Sequence, residues 1–184
     1  MQEEMFVKKI GTFHVVFVAL FAALICVGTM LVQIPIPATG GYANLGDGVI
    51  LIAAFLMGTG YATAAAGLGS MLADLLLGYV SYAPGTLIIK AGAALIAGLL
   101  FRKLSAGRKQ GMQLVMMAVA GVCAESFMVL GYFFYEAVIL GIGAGAAGAI
   151  LGNVGQGIVG VVIALLVAPV LLKNDELKNL MNRS

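Results

Sequence analysis

Asp47, Asp74 and Lys90 are the only formally charged residues between Ile10 and Phe101, and Glu125 stands equally alone in a later apolar stretch. A charge in hydrocarbon is costly unless it faces a bundle interior and finds a partner, so such residues mark functional positions by default. Three acids and one base can pair, hold a polar ligand or relay protons. Asp74 and Lys90 fall at similar depths in successive helices, which suits a structural ion pair; alternatively, Lys90 holds a polar or anionic group of a substrate. Asp47 opens a helix, where its carboxylate either caps backbone N–H groups or contacts a ligand from the preceding turn, which also carries Asn44.

Glu125 has no basic residue in its own helix, and Tyr132 and Glu136 follow it on one helical face. It is read as a protonated, hydrogen-bonded interior acid, as a ligand contact or as part of a proton relay. Asn153 and Gln156 lie three residues apart, with Gly157 and Gly160 continuing their face. Amides at that spacing read the edge of a heterocycle or join helices by hydrogen bonds. Tyr42, Tyr79, Tyr82, Tyr132 and Tyr135, with Phe133 and Phe134, map to one end of the chain's helices, either as an interfacial aromatic belt or as the lining of a mouth.

The elements that must position these groups are membrane helices. Hydrophobic residues make up 62% of the 184-residue chain and charged residues 10%, against roughly 45–50% and about 25% in soluble domains. The expected fold is all-α: residues 1–184 as one integral membrane bundle of six transmembrane helices, at about 12–34, 48–58, 61–77, 86–101, 112–135 and 147–172, with a polar tail at 173–184. Pro35 and Pro37 stop the first run, and the second helix is short for a full span. Lys8 and Lys9, the loop bases Arg102, Lys103, Arg108 and Lys109, and Lys173, Lys178 and Arg183 place both termini in the cytoplasm. Residues 35–47, 78–85 and 136–146 then form the outer loops.

Several functions are excluded or disfavoured. There is no GxxxxGK[ST] phosphate loop and no HExxH zinc helix, and His14, the single histidine, has no spaced ligand partners. No metal, cofactor or nucleic-acid partner is expected. Cys26 and Cys123 lie in apolar segments and read as small buried hydrophobes rather than a disulfide. The first apolar run is too long for a signal peptide and lacks an A-x-A site, so it is expected to remain as the first helix. There, Ala19 and Ala23, with Ala22 beside them, offer a small-xxx-small surface for another helix.

Three blocks carry a family resemblance: Asn44-Leu45-Gly46-Asp47, Gly69-Ser70-Met71-Leu72-Ala73-Asp74-Leu75-Leu76-Leu77-Gly78-Tyr79, and Tyr82-Ala83-Pro84-Gly85-Thr86-Leu87-Ile88-Ile89-Lys90. In this order they resemble the substrate-binding S components of energy-coupling-factor (ECF) vitamin transporters, across most of residues 10–172. The subfamily is labelled riboflavin-transporter-like, and its members resemble carriers of several vitamins, including the vitamin B6 and thiamine-pyrimidine types. The resemblance implies a plasma-membrane protein with no ATPase site of its own. It would capture a vitamin in an outward pocket and dock through Ala-x-x-x-Ala on helix one, matched here by Ala19 and Ala23, onto a membrane T subunit carrying two ATPases. Toppling of the S component, driven by ATP used in those partners, would deliver the substrate inward.

The expected substrate contacts are Asn44, Asp47, Asp74, Tyr82, Lys90, Glu125, Tyr132, Asn153 and Gln156. No tryptophan is present, so tyrosines would stack on the ligand. A vitamin B6 form or a hydroxymethylpyrimidine is the favoured substrate, with riboflavin the alternative. A stand-alone ion-coupled carrier using Asp74, Lys90 and Glu125 as a proton relay is a second function class. An intramembrane enzyme would need a paired acid, base or metal site that this sequence does not display.

Overall fold

The computed structural model describes residues 12–174. In chain order they form α1 (Thr12–Leu31), an antiparallel hairpin of β1 (Ile34–Ile36) and β2 (Gly41–Ala43), α2 (Gly46–Leu56), α3 (Thr59–Leu77), α4 (Ala83–Ser105) and α5 (Gln110–Phe134). A π-helical turn (Tyr135–Ile139) extends α5, and a 3-10 segment (Gly143–Ala149) leads into α6 (Ile150–Leu171). Lys8, Lys9, Lys178, Arg183 and most of the polar tail lie outside the described residues.

Five helical segments are long and apolar enough to cross a membrane: Thr12–Leu31, Thr59–Leu77, Ala83–Ser105, Gly111–Ile139 and Gly143–Leu171. α2 differs. Its 11 residues reach about 16 Å at 1.5 Å per residue, roughly half of a hydrocarbon core. It is buried at every position except Val49 and packs against α1, α3, α4 and α6. The surrounding helices turn large aliphatic side chains outward, among them Leu20, Leu76, Ile88, Leu130, Leu151 and Leu166. A soluble monomer does not expose apolar area on that scale, whereas lipid solvates it.

Helices approach closely where the sequence supplies glycine. A Cβ at Gly69 would lie 2.5 Å from the Ala22 carbonyl oxygen, so α3 and α1 meet backbone to backbone. α3 ends at Gly78, whose φ of 85° is the left-handed cap that glycine adopts without a Cβ penalty. At the α2–α3 break, Arg102 donates to the Met57 carbonyl and, at 2.6 Å, to Thr59 Oγ1. One of the loop bases is therefore a clasp on the chain's own backbone.

The structure corrects several expected boundaries. Helix one ends at Leu31 rather than residue 34, and the expected irregular turn is a hairpin pairing Ile34 with Ala43, Pro35 with Tyr42 and Ile36 with Gly41. Proline cannot continue a helix but is tolerated on a strand edge, which is where Pro35 lies. α4 starts three residues earlier than expected, because Pro84 occupies its first turn, where a missing N–H costs nothing. The expected loop 136–146 is largely helical. Its alanine-rich, proline-free end continues as a 3-10 segment through Ala149, into the expected helix six, and Ala149 forms a small core with Ile36 and Ala43 of the hairpin. Cys26 is buried as expected, but Cys123 is exposed on the apolar exterior, and both are free thiols.

Candidate functional site

The site is built around Asp47, in the first turn of α2. Its Oδ1 accepts from Lys90 Nζ of α4 at 2.5 Å and its Oδ2 from Gln156 Nε2 of α6 at 2.6 Å. Gln156 Oε1 accepts the backbone N–H of Asn44 at 2.6 Å, and Asn44 Oδ1 accepts that of Gly46 at 2.9 Å. One buried chain of bonds thus ties the loop before α2 to three helices. Removing a charge pair from water is tolerated when both ions are also hydrogen-bonded, which this geometry provides. Glycines on α6 make room for it: a Cβ at Gly160 would lie 2.9 Å from Asp47 Cβ, and one at Gly157 would lie 2.9 Å from Glu125 Cβ.

Two expectations change here. Asp47 does not cap α2. The cap position is Leu45, with no side-chain cap bond, and the Asp47 carboxylate turns inward to Lys90. Lys90 in turn does not pair with Asp74, although the two remain within electrostatic reach. Lys90 takes the carboxylate already oriented by Gln156, whereas Asp74 Oδ1 accepts the Tyr42 hydroxyl at 2.6 Å.

Above this layer lies a ring of phenols. Tyr42 leans on Tyr79, with centroids 4.5 Å apart. The Tyr82 hydroxyl reaches the Thr39 carbonyl at 2.9 Å and Glu136 Oε1 at 3.2 Å, linking the hairpin turn to the π-helical turn after α5. Burial pushes the Tyr82 hydroxyl up to about 12 and raises Tyr42 further still, with the Asp74 bond adding to it. Both remain phenols and hydrogen-bond donors at neutral pH. Tyr132 shares a 2.9 Å hydrogen bond with Thr86, and its ring centroid lies 5.4 Å from Lys90 Nζ, in cation–π range.

These layers enclose a cavity lined by Thr29, Ile36, Tyr42, Asn44, Ser70, Asp74, Tyr82, Thr86, Lys90, Tyr132, Glu136, Asn153 and Gln156. Its enclosed free volume is about 20 Å³, room for about one water. Of the nine residues expected from sequence, Asn44, Asp74, Tyr82, Lys90, Tyr132, Asn153 and Gln156 lie on this cavity. Asp47 and Glu125 lie behind it, Asp47 holding Lys90 and Gln156, and Glu125 packed between Gly157 and Asp47. Thr29, Ile36, Ser70 and Thr86 line it without having been expected to, and they are joined by Tyr42, read from sequence as belt or mouth, and Glu136, read as part of the Glu125 face. The signals were in the chain: Ser70 and Thr86 lie four residues before Asp74 and Lys90 on their helices, and Glu136 continues the Glu125 and Tyr132 face.

Three buried oxygens on the cavity, Ser70 Oγ, Asp74 Oδ2 and Glu136 Oε2, have no hydrogen-bond partner among the described residues. A larger groove of about 550 Å³ at the opposite end, lined by Phe101, Ser105, Gln113, Leu114, Met117, Pro169, Leu172 and Lys173, gathers no such buried polar set among the described residues. Among the described residues no group of three His, Cys, Asp or Glu side chains is arranged around a metal position. On α1, Ala19 and Ala23 are exposed on the apolar exterior, whereas Ala22 is half-buried against Gly69.

The described residues thus form a helical membrane bundle with a buried polar cavity near one end. A family model for the S component of ECF-type riboflavin transporters matches residues 9–174. The chain belongs to this family. It is also 38% identical over 139 residues to a protein of Pyrococcus woesei described as an uncharacterized protein in the gap 3′ region, a match covering 76% of this chain and 88% of that protein. As an ECF S component it is a multi-pass membrane protein and a transport subunit rather than an enzyme, in a family that takes up vitamins together with T and ATPase subunits.

Proposed function

We propose that this S component binds a single-ring, water-soluble B vitamin, of the vitamin B6 or hydroxymethylpyrimidine type, in the cavity between the hairpin and helices α3 to α6. The observation that carries this reading is the cavity itself. Amides, carboxyls, phenols and one ammonium converge on an enclosed space of about 20 Å³, so a small heterocycle bearing hydroxyl or amino groups needs the least displacement of its walls. Riboflavin is the second reading, favoured by the description of the matching family model. Its tricyclic ring and ribityl chain would require the hairpin and the Tyr42 and Tyr82 contacts to move much further.

In this reading the hairpin end faces outward. Arg102, Lys103, Arg108, Lys109 and Lys173 gather at the other end of the bundle, which the positive-inside tendency assigns to the cytoplasm. Both termini are then cytoplasmic, and six helices cross or enter the plasma membrane. The exposed Ala19 and Ala23 face of α1 docks on a T subunit carrying two ATPases, which supply the ATP-driven step. Binding itself needs no cofactor and no ATP.

Calorimetry on the purified full chain with pyridoxine, pyridoxal, pyridoxamine, the thiamine pyrimidine and riboflavin tests this. Binding of a single-ring vitamin without ATP is expected. Binding of riboflavin alone would replace the favoured substrate by the second, and failure of all five would remove the vitamin assignment of the pocket.

A further inference from the structure

Two carboxyls on the cavity are only partly bonded, although the Thr86 and Thr39 hydroxyls stand near them. Asp74 and Glu136 both border it, and each has one carboxyl oxygen bonded to a tyrosine hydroxyl and the other, Asp74 Oδ2 and Glu136 Oε2, without a partner among the described residues. Ser70 Oγ, buried on the same cavity, is also unpartnered among them. Tyr82 lines the same cavity as both acids and donates to Glu136.

The cation that lines this cavity is already committed: Lys90 lies 2.5 Å from Asp47, and Glu125 behind it adds a further acid. Of the described titratable groups, Asp74, Glu136 and Lys90 line the region with Tyr42, Tyr82 and Tyr132 as neutral phenols, and Asp47 and Glu125 lie behind it, Asp47 taken up by Lys90. Uncompensated carboxylates in such surroundings are costly, and a ligand that brings positive charge and N–H donors removes that cost where a hydroxyl does not.

Resting on the single-ring vitamin reading, we infer that the pocket selects a cationic form of its ligand: a protonated aminomethyl group held between Asp74 Oδ2 and Glu136 Oε2, with Ser70 Oγ as a third acceptor. An ammonium offers three donors to these three acceptors. The two carboxylates then set specificity, while Lys90 positions the opposite wall through Asp47 and Gln156.

Two matched pairs test this on the full chain at pH 7: pyridoxamine against pyridoxine, and the aminomethyl against the hydroxymethyl form of the thiamine pyrimidine, with riboflavin alongside. The amine of at least one pair is expected to bind about tenfold tighter or more than its alcohol. Asp74→Asn and Glu136→Gln should each bring that ratio toward unity, because each removes an acceptor that the ammonium uses. A thermal melt of each variant confirms folding, and the wild-type ratio stands as a test without them. Equal or tighter binding of both alcohols overturns the inference and leaves the vitamin reading in place, as does an amine preference that both folded variants retain. Binding of riboflavin alone overturns the cation and the single-ring reading together but keeps the vitamin class. If none of the five ligands binds, the inference and the vitamin reading both fall.

Discussion

Lys90 Nζ lies 2.5 Å from Asp47 Oδ1 with both side chains only 2% exposed, and this contact joins α4 to the start of the buried α2. Losing one partner strands the other charge. Lys90→Met is expected to destabilise the protein by about 3–5 kcal/mol. Adding Asp47→Asn should restore part of that loss, so that the double variant is more stable than the sum of its singles. Unfolding in detergent, read as a double-mutant cycle, checks the expectation; strictly additive losses would mean that the pair has no coupling.

Gln156 and Asn44 should differ sharply, although they sit in the same chain of bonds. Gln156→Leu removes a bond to a charged acceptor and leaves the buried Asn44 N–H without its partner, about 3 kcal/mol in all. Asn44→Ala removes only the side-chain bond to the Gly46 N–H, at about 1 kcal/mol. Equal losses in thermal denaturation would show that Gln156 does not carry the junction between α2 and α6.

Neighbouring alanines on α1 should give opposite phenotypes. Ala19→Trp and Ala23→Trp enlarge an exposed face and are expected to abolish uptake in cells expressing the full transporter while leaving vitamin binding nearly intact. Ala22→Trp pushes against Gly69 and should lower stability and binding together. Wild-type uptake by the Ala19 and Ala23 double variant would remove this face as the docking surface.

The Tyr82 hydroxyl gives a pH signature. Burial raises it to about 12 in the folded chain, against about 10 for an ordinary tyrosine. Between those values the folded state keeps a proton that the unfolded state has lost, so stability falls as pH rises through this window and the contribution is complete below it. The stability difference between wild type and Tyr82→Phe should therefore be constant up to about pH 10 and shrink toward pH 12. A difference that stays flat to the top of the window would mean that the hydroxyl is not held as described.

How much of this was readable in the chain depends on which force decided each feature. The long helices follow from apolar length alone, and the isolated charges announced a polar interior before any contact was known. Seven of the nine expected residues lie on one cavity because a polar group in such sequence has few other places to go. Pairing was harder. Whether Lys90 meets Asp74 or Asp47 turns on a few ångströms of relative helix position, set by glycines such as Gly160 that let α6 close on α2. The hairpin was hidden by Pro35 and Pro37, which end a helix but are equally at home in a turn or on a strand edge. The helical turn through Glu136 was hidden by glycines that usually signal a loop.

The approach of Gly69 to Ala22 has a mechanical meaning. With the Ala22 carbonyl packed directly on the bare backbone of α3, no flexible side chain lies between the two helices at that point to absorb movement, and dense packing transmits displacement. The next residue on α3 is Ser70, and one turn on is Asp74, both in the wall of the cavity. A push on the exposed side of α1 reaches those walls through a rigid strut one helix thick. Lateral force applied at the lipid-facing surface would be felt in the pocket as a change of shape, even though no residue belongs to both.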